Sequence, residues 1–211
     1  MKIAIMLLAR KGSKRIPKKN IKPFCGKPLV EYTLEFMKTL KYESHVYTDS
    51  IEIEALCKKH EIMAHGKKYE NKEGIHHTKE ELIFYNETVK ADIIILLQAT
   101  SPLRNKEGLE RGLKSLINSP EYNICLSVNK IDKIIYDDKA QRLIKDRDFN
   151  NKKHYYIESG SFYIFKKEQL QKNHITDGKR IFYIDKYDID LDTEKDWEKA
   201  EILYKGGYYE N

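Results

Sequence analysis

Short runs of consecutive apolar residues constrain the fold of this chain more than any other feature of its sequence. Ile3–Leu8 and Ile93–Leu97 are apolar at every position, and residues 123–128 form a similar segment. Strands that are apolar on both faces are typical of parallel sheets covered by helices on both sides. Apolar residues at helical spacing follow the first two runs, at 28–40 and 106–117. The sequence therefore predicts an α/β fold with a doubly wound, mostly parallel sheet.

Turn residues and apolar spacing predict the remaining elements. They are strands at 45–48, 161–165 and 180–184, helices at 51–59, 79–89 and 194–204, a long loop at 64–78, and a hairpin at 134–144. The chain contains no internal repeat or linker, so residues 1–211 are predicted to form a single domain. Ligands of such sheets bind at the carboxyl ends of the strands. We therefore expect residues 9–20, Asp49 and residues 98–104 to meet at one edge.

The charge of the chain is unevenly distributed. The formal net charge is +6, yet the first 30 residues contain nine basic side chains and no acidic one. The other 181 residues hold 30 basic and 33 acidic side chains. This distribution argues against a broad nucleic-acid-binding surface and predicts one local anion site near the start of the chain.

Composition also limits where the protein acts. No apolar run approaches the roughly 18 residues that a membrane helix needs, and the apolar start of the chain is better explained as a buried strand than as a signal peptide. Cys25, Cys57 and Cys125 have no metal-type spacing, and we expect them to be reduced and structural. These features predict a cytoplasmic protein without a membrane or nucleic-acid partner.

The basic segment 9–20 directly follows the first predicted strand. Gly12 permits a backbone turn whose N–H groups form an anion-binding nest, and the neighbouring Arg and Lys side chains add charge. The segment lacks both the P-loop and the dinucleotide-binding spacing of glycines. A solvated loop or a nucleic-acid-binding arm is the alternative, but the position after a strand favours phosphate binding.

Asp190 and Asp192 form the second candidate site. In a strand-like backbone, carboxylates at i and i+2 point to one side, and such hard oxygen ligands suit Mg²⁺. The alternative is a helix N-cap, because Asp192 or Thr193 precedes acidic residues in a first helical turn. The two interpretations are compatible.

Five segments together resemble the acylneuraminate cytidylyltransferases, also called CMP-sialic acid synthetases, a family that includes pseudaminic and legionaminic acid cytidylyltransferases. In order along the chain they are residues 9–20 (ARKGSKRIPKKN), 26–29 (GKPL), 96–104 (LLQATSPLR), 158–163 (ESGSFY) and 190–197 (DLDTEKDW). The resemblance runs from residue 3 to about residue 204. It implies a Rossmann-like sheet of the nucleotide-diphospho-sugar transferase type, with residues 130–165 as a dimerisation and sugar-binding insertion.

The resemblance also implies an activity. Such an enzyme transfers CMP from CTP to an acidic ulosonic sugar, with sialic, pseudaminic or legionaminic acid favoured over Kdo, and releases pyrophosphate for surface glycan biosynthesis. It would use Mg²⁺ (or Mn²⁺) and form a homodimer. By resemblance, the catalytic residues are Arg10, Lys14 and Asp192, the nucleotide-binding residues are Ala9, Arg10, Gly12, Ser13, Lys14, Asn20 and Thr78, the sugar-binding residues are Gln98, Tyr163 and Asp190, and the metal ligands are Asp190 and Asp192. Among the other lysines of the first 30 residues, Lys18, Lys19, Lys22 and Lys27 are expected to raise the local potential or to be solvated.

The sequence departs from the family pattern in two regions. The arginine-proline step that precedes the base-binding loop is absent from residues 62–75, and the arginine-rich approach to Glu158 is reduced to Lys152, Lys153 and His154. Two alternatives therefore stay open. One is a nucleotidylyltransferase of the same fold with another base or acceptor, and the other is a non-catalytic module that binds a nucleotide or a polyanion.

Overall fold

The computed structural model describes residues 1–13, 15–66, 75–131, 154–185 and 189–207, with the side chains of 75–77 left aside. The strands are β1 (Ile3–Leu8), β2 (Pro23–Phe24), β3 (Lys27–Pro28), β4 (Glu43–Thr48), β5 (Met63–Gly66), β6 (Ile93–Leu97), β7 (Ile124–Ile131), β8 (Tyr155–Lys166) and β9 (Arg180–Ile184). The α-helices are α1 (Leu29–Thr39), α2 (Ile51–Lys59), α3 (Ile75–Val89), α4 (Lys106–Asn118) and α5 (Glu194–Lys205), and 3₁₀ turns lie at Lys19–Ile21 and Lys167–Gln171.

Seven of these strands form one sheet in the order β5-β4-β1-β6-β8-β7-β9. Among the described strands of this sheet, β8 alone runs antiparallel to its neighbours. The strands that follow β1 in the chain lie on both sides of it, β4 on one side and β6 on the other. This reversal of strand order opens a crevice at the carboxyl ends of β1 and β6.

Helices cover both faces of the sheet. One face packs on α1, α2 and α4 through buried residues such as Leu34, Ile53 and Leu113. The other face packs on α3 through Leu82 and Tyr85. Burial on both faces explains why the strands of the sheet centre are continuously apolar.

The predicted architecture is confirmed. β1, β6 and β9 have the predicted bounds, and the predicted helices exist within a few residues of their predicted ends. The prediction of a loop over 64–78 is wrong at both ends, because β5 ends at Gly66 and α3 begins at Ile75. β5 is a four-residue edge strand with half-buried or exposed side chains, so it carries no apolar run. The hairpin predicted at 134–144 lies outside the described residues.

Among the described residues, no helix combines the length and the apolar character needed to cross a membrane. All three cysteines are free thiols, and burial raises the pKa of Cys57 to about 11 and that of Cys125 to about 12. Both thiols are therefore protonated at neutral pH and act as small apolar side chains in the core.

Candidate active site

A cleft of about 680 Å³ opens at the carboxyl ends of β1 and β6. It is lined by Leu8, Arg10, Gly12, Ser13, Arg15, Lys19, Asn20, Thr78, Leu96, Leu97, Gln98, Ala99, Thr100, Tyr163, Asp190 and Asp192. Every described residue that the family resemblance assigns to the site is in this set, with the exception of Ala9. Ala9 is buried beside the cleft, where its amide donates to Tyr47 O at 2.9 Å. Lys14 lies outside the described residues.

Hydrogen bonds fix the basic loop over the end of β1. The backbone amide of Lys11 donates to Asp49 Oδ1 at 2.6 Å, and Asn20 Nδ2 donates to Arg10 O at 2.8 Å. Asp49 thus lies at the predicted edge of the sheet. The amide of Asn20 holds the backbone of Arg10, so this side chain shapes the loop from within.

Lys19 is the main residue that sequence reasoning missed. Its side chain is buried, and Nζ donates to Leu191 O at 2.7 Å and to Asp192 Oδ1 at 3.1 Å. The Lys19 amide also donates to the carbonyl of Ile16, a core residue three positions earlier. This 3₁₀-type turn directs the Lys19 side chain toward the protein interior. A buried apolar residue at i−3 was the available signal within this otherwise polar segment.

Two lysines that follow the basic segment, Lys22 and Lys27, are also not merely solvated. Lys22 Nζ lies 2.6 Å from Glu194 Oε2 and 4.5 Å from the centroid of the Trp197 ring. Lys27 forms an ion pair with Glu35 and lies 4.2 Å from the Tyr32 ring. These contacts tie the basic segment to α1 and α5. Lys18 is exposed, as expected.

Asp192 lies opposite the basic loop and contacts cations through both carboxylate oxygens. Oδ1 accepts from Lys19, and Oδ2 forms an ion pair with the exposed Arg15. The N-cap of α5 is Thr193 and not Asp192. Thr193 Oγ1 accepts from the Asp196 amide at 3.2 Å, and Asp196 Oδ2 accepts from the Thr193 amide at 2.7 Å. The Asp192 carboxylate is therefore free of the cap and faces the cleft.

Residues 190–192 do not form the strand that the i, i+2 argument assumed. The Asp192 amide donates to Asp190 O at 3.0 Å, which closes a three-residue turn around the buried Leu191. The Leu191 amide in turn donates to Thr100 O at 2.9 Å. The turn buries Leu191 and brings both carboxylates to the same cleft, so the predicted juxtaposition holds by a different backbone geometry.

Asp190 is half-buried and places one carboxylate oxygen in the interior. Its Oδ1 is buried without a hydrogen-bond partner among the described residues. Burial raises the pKa of Asp190 above its ordinary value, and the nearby Asp192 acts in the same direction, against Thr100, Lys19 and Arg104. A buried carboxylate oxygen without a partner, beside a second carboxylate, fits a hard divalent cation such as Mg²⁺.

Gly160 allows the side chains of Gln98 and Asp190 to approach the backbone of β8. Its backbone has a φ of +72°, and a Cβ there would lie 3.0 Å from Gln98 Oε1 and 3.3 Å from Asp190 Oδ2. Glycine meets both requirements, the positive φ and the absence of a side chain. The pairing of β7 with β8 shifts register beside this bend. Gly160 precedes the strand predicted at 161–165 and is flanked by two serines, so no apolar pattern in the sequence marks this irregularity.

Tyr163 and Thr78 complete the cleft. Tyr163 is buried, and its Oη donates to Glu158 Oε2 at 3.1 Å. Burial and the nearby Glu158 raise the pKa of Tyr163, so its phenol is a hydrogen-bond donor at neutral pH. Thr78 is half-buried on α3 and lines the same cleft.

The sheet order and the cleft at its reversal point define an α/β nucleotidyltransferase-like fold. A sequence model described as Cytidylyltransferase matches residues 4–211. The chain therefore belongs to the cytidylyltransferase family, which confirms the resemblance seen in its motifs.

Curated relatives cover nearly the whole chain. It is 28% identical to the N-acylneuraminate cytidylyltransferase of Oncorhynchus mykiss over 98% of this chain and 51% of the relative. It is 27% identical to the pseudaminic acid cytidylyltransferase of Campylobacter jejuni over 97% of both chains. It is 26% identical to the CMP-N,N'-diacetyllegionaminic acid synthase of Legionella pneumophila over 96% of both. The chain spans about half the length of the fish relatives and nearly all of these bacterial ones.

Solved structures confirm the fold. A CMP:2-keto-3-deoxy-manno-octonic acid synthetase complexed with CTP superposes with a TM-score of 0.77 at 19% identity, over 98% of this chain and 100% of that one. A cytidylyltransferase from Leptospira borgpetersenii gives a TM-score of 0.67 at 18% identity, over 100% and 89%. At these identities the likeness concerns the fold.

Proposed function

We propose that this protein transfers CMP from CTP to an acidic ulosonic sugar of the sialic, pseudaminic or legionaminic type and releases pyrophosphate. The observation that carries the proposal is one cleft in which a basic loop faces the Asp190–Asp192 carboxylates. The names of relatives that match nearly their whole length support the substrate class.

The reaction substitutes at phosphorus. The anomeric hydroxyl oxygen of the sugar attacks the α-phosphorus of CTP, the bond from that phosphorus to the bridging oxygen breaks, and pyrophosphate leaves. The proton of the attacking hydroxyl passes to a base. Because charge grows on the leaving group, fixed positive charge and N–H donors beside it are the main source of acceleration.

The basic loop fits the leaving group. Arg10 lines the cleft beside Gly12 and Ser13, which supply backbone N–H groups and a hydroxyl. We assign Arg10, together with Lys14, to the triphosphate. Asn20 supports this arrangement by holding the Arg10 carbonyl, and the buried Ala9 fixes the start of the loop.

The opposite side of the cleft fits the metal and the sugar. We assign Asp190 and Asp192 as ligands of Mg²⁺ (or Mn²⁺), and the orphaned Asp190 oxygen supports this assignment. When bound, the ion supplies positive charge to the phosphate oxygens. Lys19 holds Asp192 in place, and Gln98 offers an amide to sugar hydroxyls. The Tyr163 hydroxyl donates its proton to Glu158, so it offers the sugar an acceptor oxygen.

Other parts of the proposal extend the family pattern. Thr78 is assigned to the base side of the cleft, residues 130–165 to a homodimer interface and to sugar binding, and the product to lipopolysaccharide or capsule biosynthesis in the cytoplasm. Of the proposed insertion, residues 130–131 belong to β7 and residues 155–165 to β8.

A pyrophosphate-release screen tests the proposal. Each of the four ribonucleoside triphosphates is combined with Mg²⁺ and with N-acetylneuraminic, pseudaminic, legionaminic or 2-keto-3-deoxy-manno-octonic acid, and the product is identified by mass spectrometry. We expect CTP-dependent release and a CMP-sugar with one of the first three acids. No release with CTP and any acid would contradict the proposal, and equal release with all four triphosphates would indicate another nucleotidylyltransferase.

The exposed basic side chains Lys11, Arg15 and Lys18 favour the second candidate, a polyanion-binding module. Binding measurements at several salt concentrations separate the two. A polyanion binder loses affinity steeply with salt and accepts any polyanion, whereas the enzyme requires a triphosphate and a divalent cation. The Asp190–Asp192 pair disfavours this candidate, because carboxylates repel a polyanion.

A further inference from the structure

A buried arginine lies behind the cleft, at the end of the loop that follows β6. Arg104 is 2% exposed. Its Nε donates to Ser161 O at 2.8 Å, and its Nη1 donates to Thr33 Oγ1 at 2.8 Å. Nε and Nη1 thus have fixed partners, and these two bonds set the direction of the buried guanidinium plane.

These two bonds join three elements that meet behind the site. Arg104 ends the segment that begins with Gln98, Ser161 lies in β8, and Thr33 is fully buried in α1. The same segment carries Thr100, whose carbonyl accepts from the Leu191 amide between the two aspartates. The loop is thus attached to β8 at one point and to the aspartate turn at another.

The attachment to β8 lies one residue beyond Gly160. Gly160 has no side chain because Gln98 Oε1 and Asp190 Oδ2 approach the place that its Cβ would occupy, at 3.0 and 3.3 Å. The distance from Gln98 Oε1 to the Gly160 backbone depends on how the Gln98 loop packs against β8. The bond from Arg104 to Ser161 O joins that loop to β8 directly.

We propose that Arg104 is a positioning residue of the transfer reaction, which fixes the Gln98 loop against the Gly160 bend of β8 and so sets the relative placement of Gln98 and Asp190. The inference rests on the proposed function. An arginine is required because its planar guanidinium donates in two fixed directions at once, toward β8 and toward α1, whereas a lysine ammonium is a single point on a flexible stem.

The test compares Arg104→Lys with Thr33→Val and with the matched control Arg111→Lys. Arg111 is exposed on α4 and lies within 3.4 Å of Tyr183 Oη. We expect Arg104→Lys to lower kcat about tenfold to a hundredfold, the effect of misplacing a reacting group by a fraction of an ångström to an ångström. The KM for CTP should stay within about threefold. Thr33→Val, which removes one of the two bonds, should lower kcat about fivefold, and Arg111→Lys should stay close to the parent.

Hydrogen exchange of the ligand-free protein supplies a second readout that does not depend on activity. Exchange should rise in residues 98–104 and 189–192 of Arg104→Lys and stay unchanged there in Arg111→Lys. A kcat of Arg104→Lys within about twofold of the parent, or unchanged exchange in both segments, would overturn the proposal. If Arg104→Lys does not fold, Thr33→Val is judged by the same two criteria. If the parent releases no pyrophosphate in the screen, the proposed function fails, and the exchange result alone decides whether Arg104 positions the loop.

Discussion

The two walls of the candidate cleft are built in different ways. The basic wall consists of Arg10, Gly12, Ser13 and Arg15, and the carboxylate wall consists of Gln98, Gly160, Asp190 and Asp192. The basic wall is a half-buried or exposed loop fixed mainly through its backbone, by bonds to Asp49 and from Asn20. The carboxylate wall also has half-buried side chains at Gln98, Asp190 and Asp192, but the backbone that carries them is anchored at the buried residues Gly160 and Leu191.

The difference has a consequence for function. The basic wall can adjust to a triphosphate because few side chains constrain it. The carboxylate wall is pre-organised, since Leu191, Thr100 and Arg104 hold it from behind. Pre-organised groups stabilise a transition state without reorganising at the moment of reaction. Substitutions in the carboxylate wall should therefore act mainly on the chemical step, and those in the basic wall on nucleotide binding as well.

Asp192→Asn should have the largest effect. The substitution keeps the shape of the side chain and removes the charge that faces Lys19 and Arg15. We expect pyrophosphate release at saturating CTP to fall about 10²- to 10³-fold, the range seen when a charge-stabilising group is removed. Glu110→Gln, an exposed acid on α4, is the matched control and should retain full activity. Parent-like release by Asp192→Asn would remove this carboxylate from the mechanism.

Arg10→Ala tests the basic wall and should have the next largest effect. Loss of this cation should lower kcat/KM for CTP about a hundredfold, with a visible rise in the KM for CTP, because the loop binds the ground state too. Arg180→Ala, an exposed arginine of β9, is the control. The comparison of the walls breaks down if Arg10→Ala lowers kcat alone while Asp192→Asn raises KM alone.

Much of the fold could be predicted from the sequence because the central strands of the sheet are buried. β1 and β6 lie in the sheet centre, so burial on both faces makes them continuously apolar and their bounds legible. β5 lies at the sheet edge, where its side chains are partly exposed and need not be apolar, so the sequence contains no apolar run that predicts this strand. Position in the sheet thus decides which strands the sequence reveals.

The sequence likewise predicts some residues of the candidate site and not others. The family motifs predict Arg10, Gln98 and the two aspartates as site residues, and all four line the same cleft. The sequence predicts that Lys19 raises the local potential or is solvated, because composition does not report that a turn after Ile16 buries its side chain. The role of Gly160 depends on a long-range approach of Gln98 and Asp190, which local patterns do not encode.

Gly160→Ala should have a smaller effect that is specific to the carboxylate wall. Its added methyl group meets Gln98 Oε1 and Asp190 Oδ2 and strains a backbone with positive φ. We expect a loss of about 1–2 kcal/mol in unfolding free energy and about a tenfold fall in kcat. Gly178→Ala is a matched control, because Gly178 has a φ of +91° with open space around its Cβ. It should lose stability and keep kcat, and equal kcat values for the two variants would refute the packing argument.

Asp190→Asn should have the smallest effect on stability, with a sign that reveals how the carboxylate wall is built. Burial raises the pKa of Asp190, so this carboxyl binds its proton more tightly in the folded than in the unfolded chain. Folding stability therefore falls as the pH rises from the ordinary aspartate range through the raised value, and at neutral pH the ionised group destabilises the fold. Asp190→Asn should gain up to about 1 kcal/mol at pH 7 and lose that gain near pH 4.

Asp92 is the opposite case, and it serves as the control for that measurement. Its pKa is lowered by Lys167 and by the backbone amide of Lys2, so it stabilises the fold at neutral pH and loses this contribution as the pH falls through its depressed value. Urea unfolding at pH 7 should therefore show Asp190→Asn above the parent and Asp92→Asn below it. If Asp190→Asn unfolds more easily than the parent at pH 7, Asp190 is a structural carboxylate, and the carboxylate wall is not a site where stability is given up for binding.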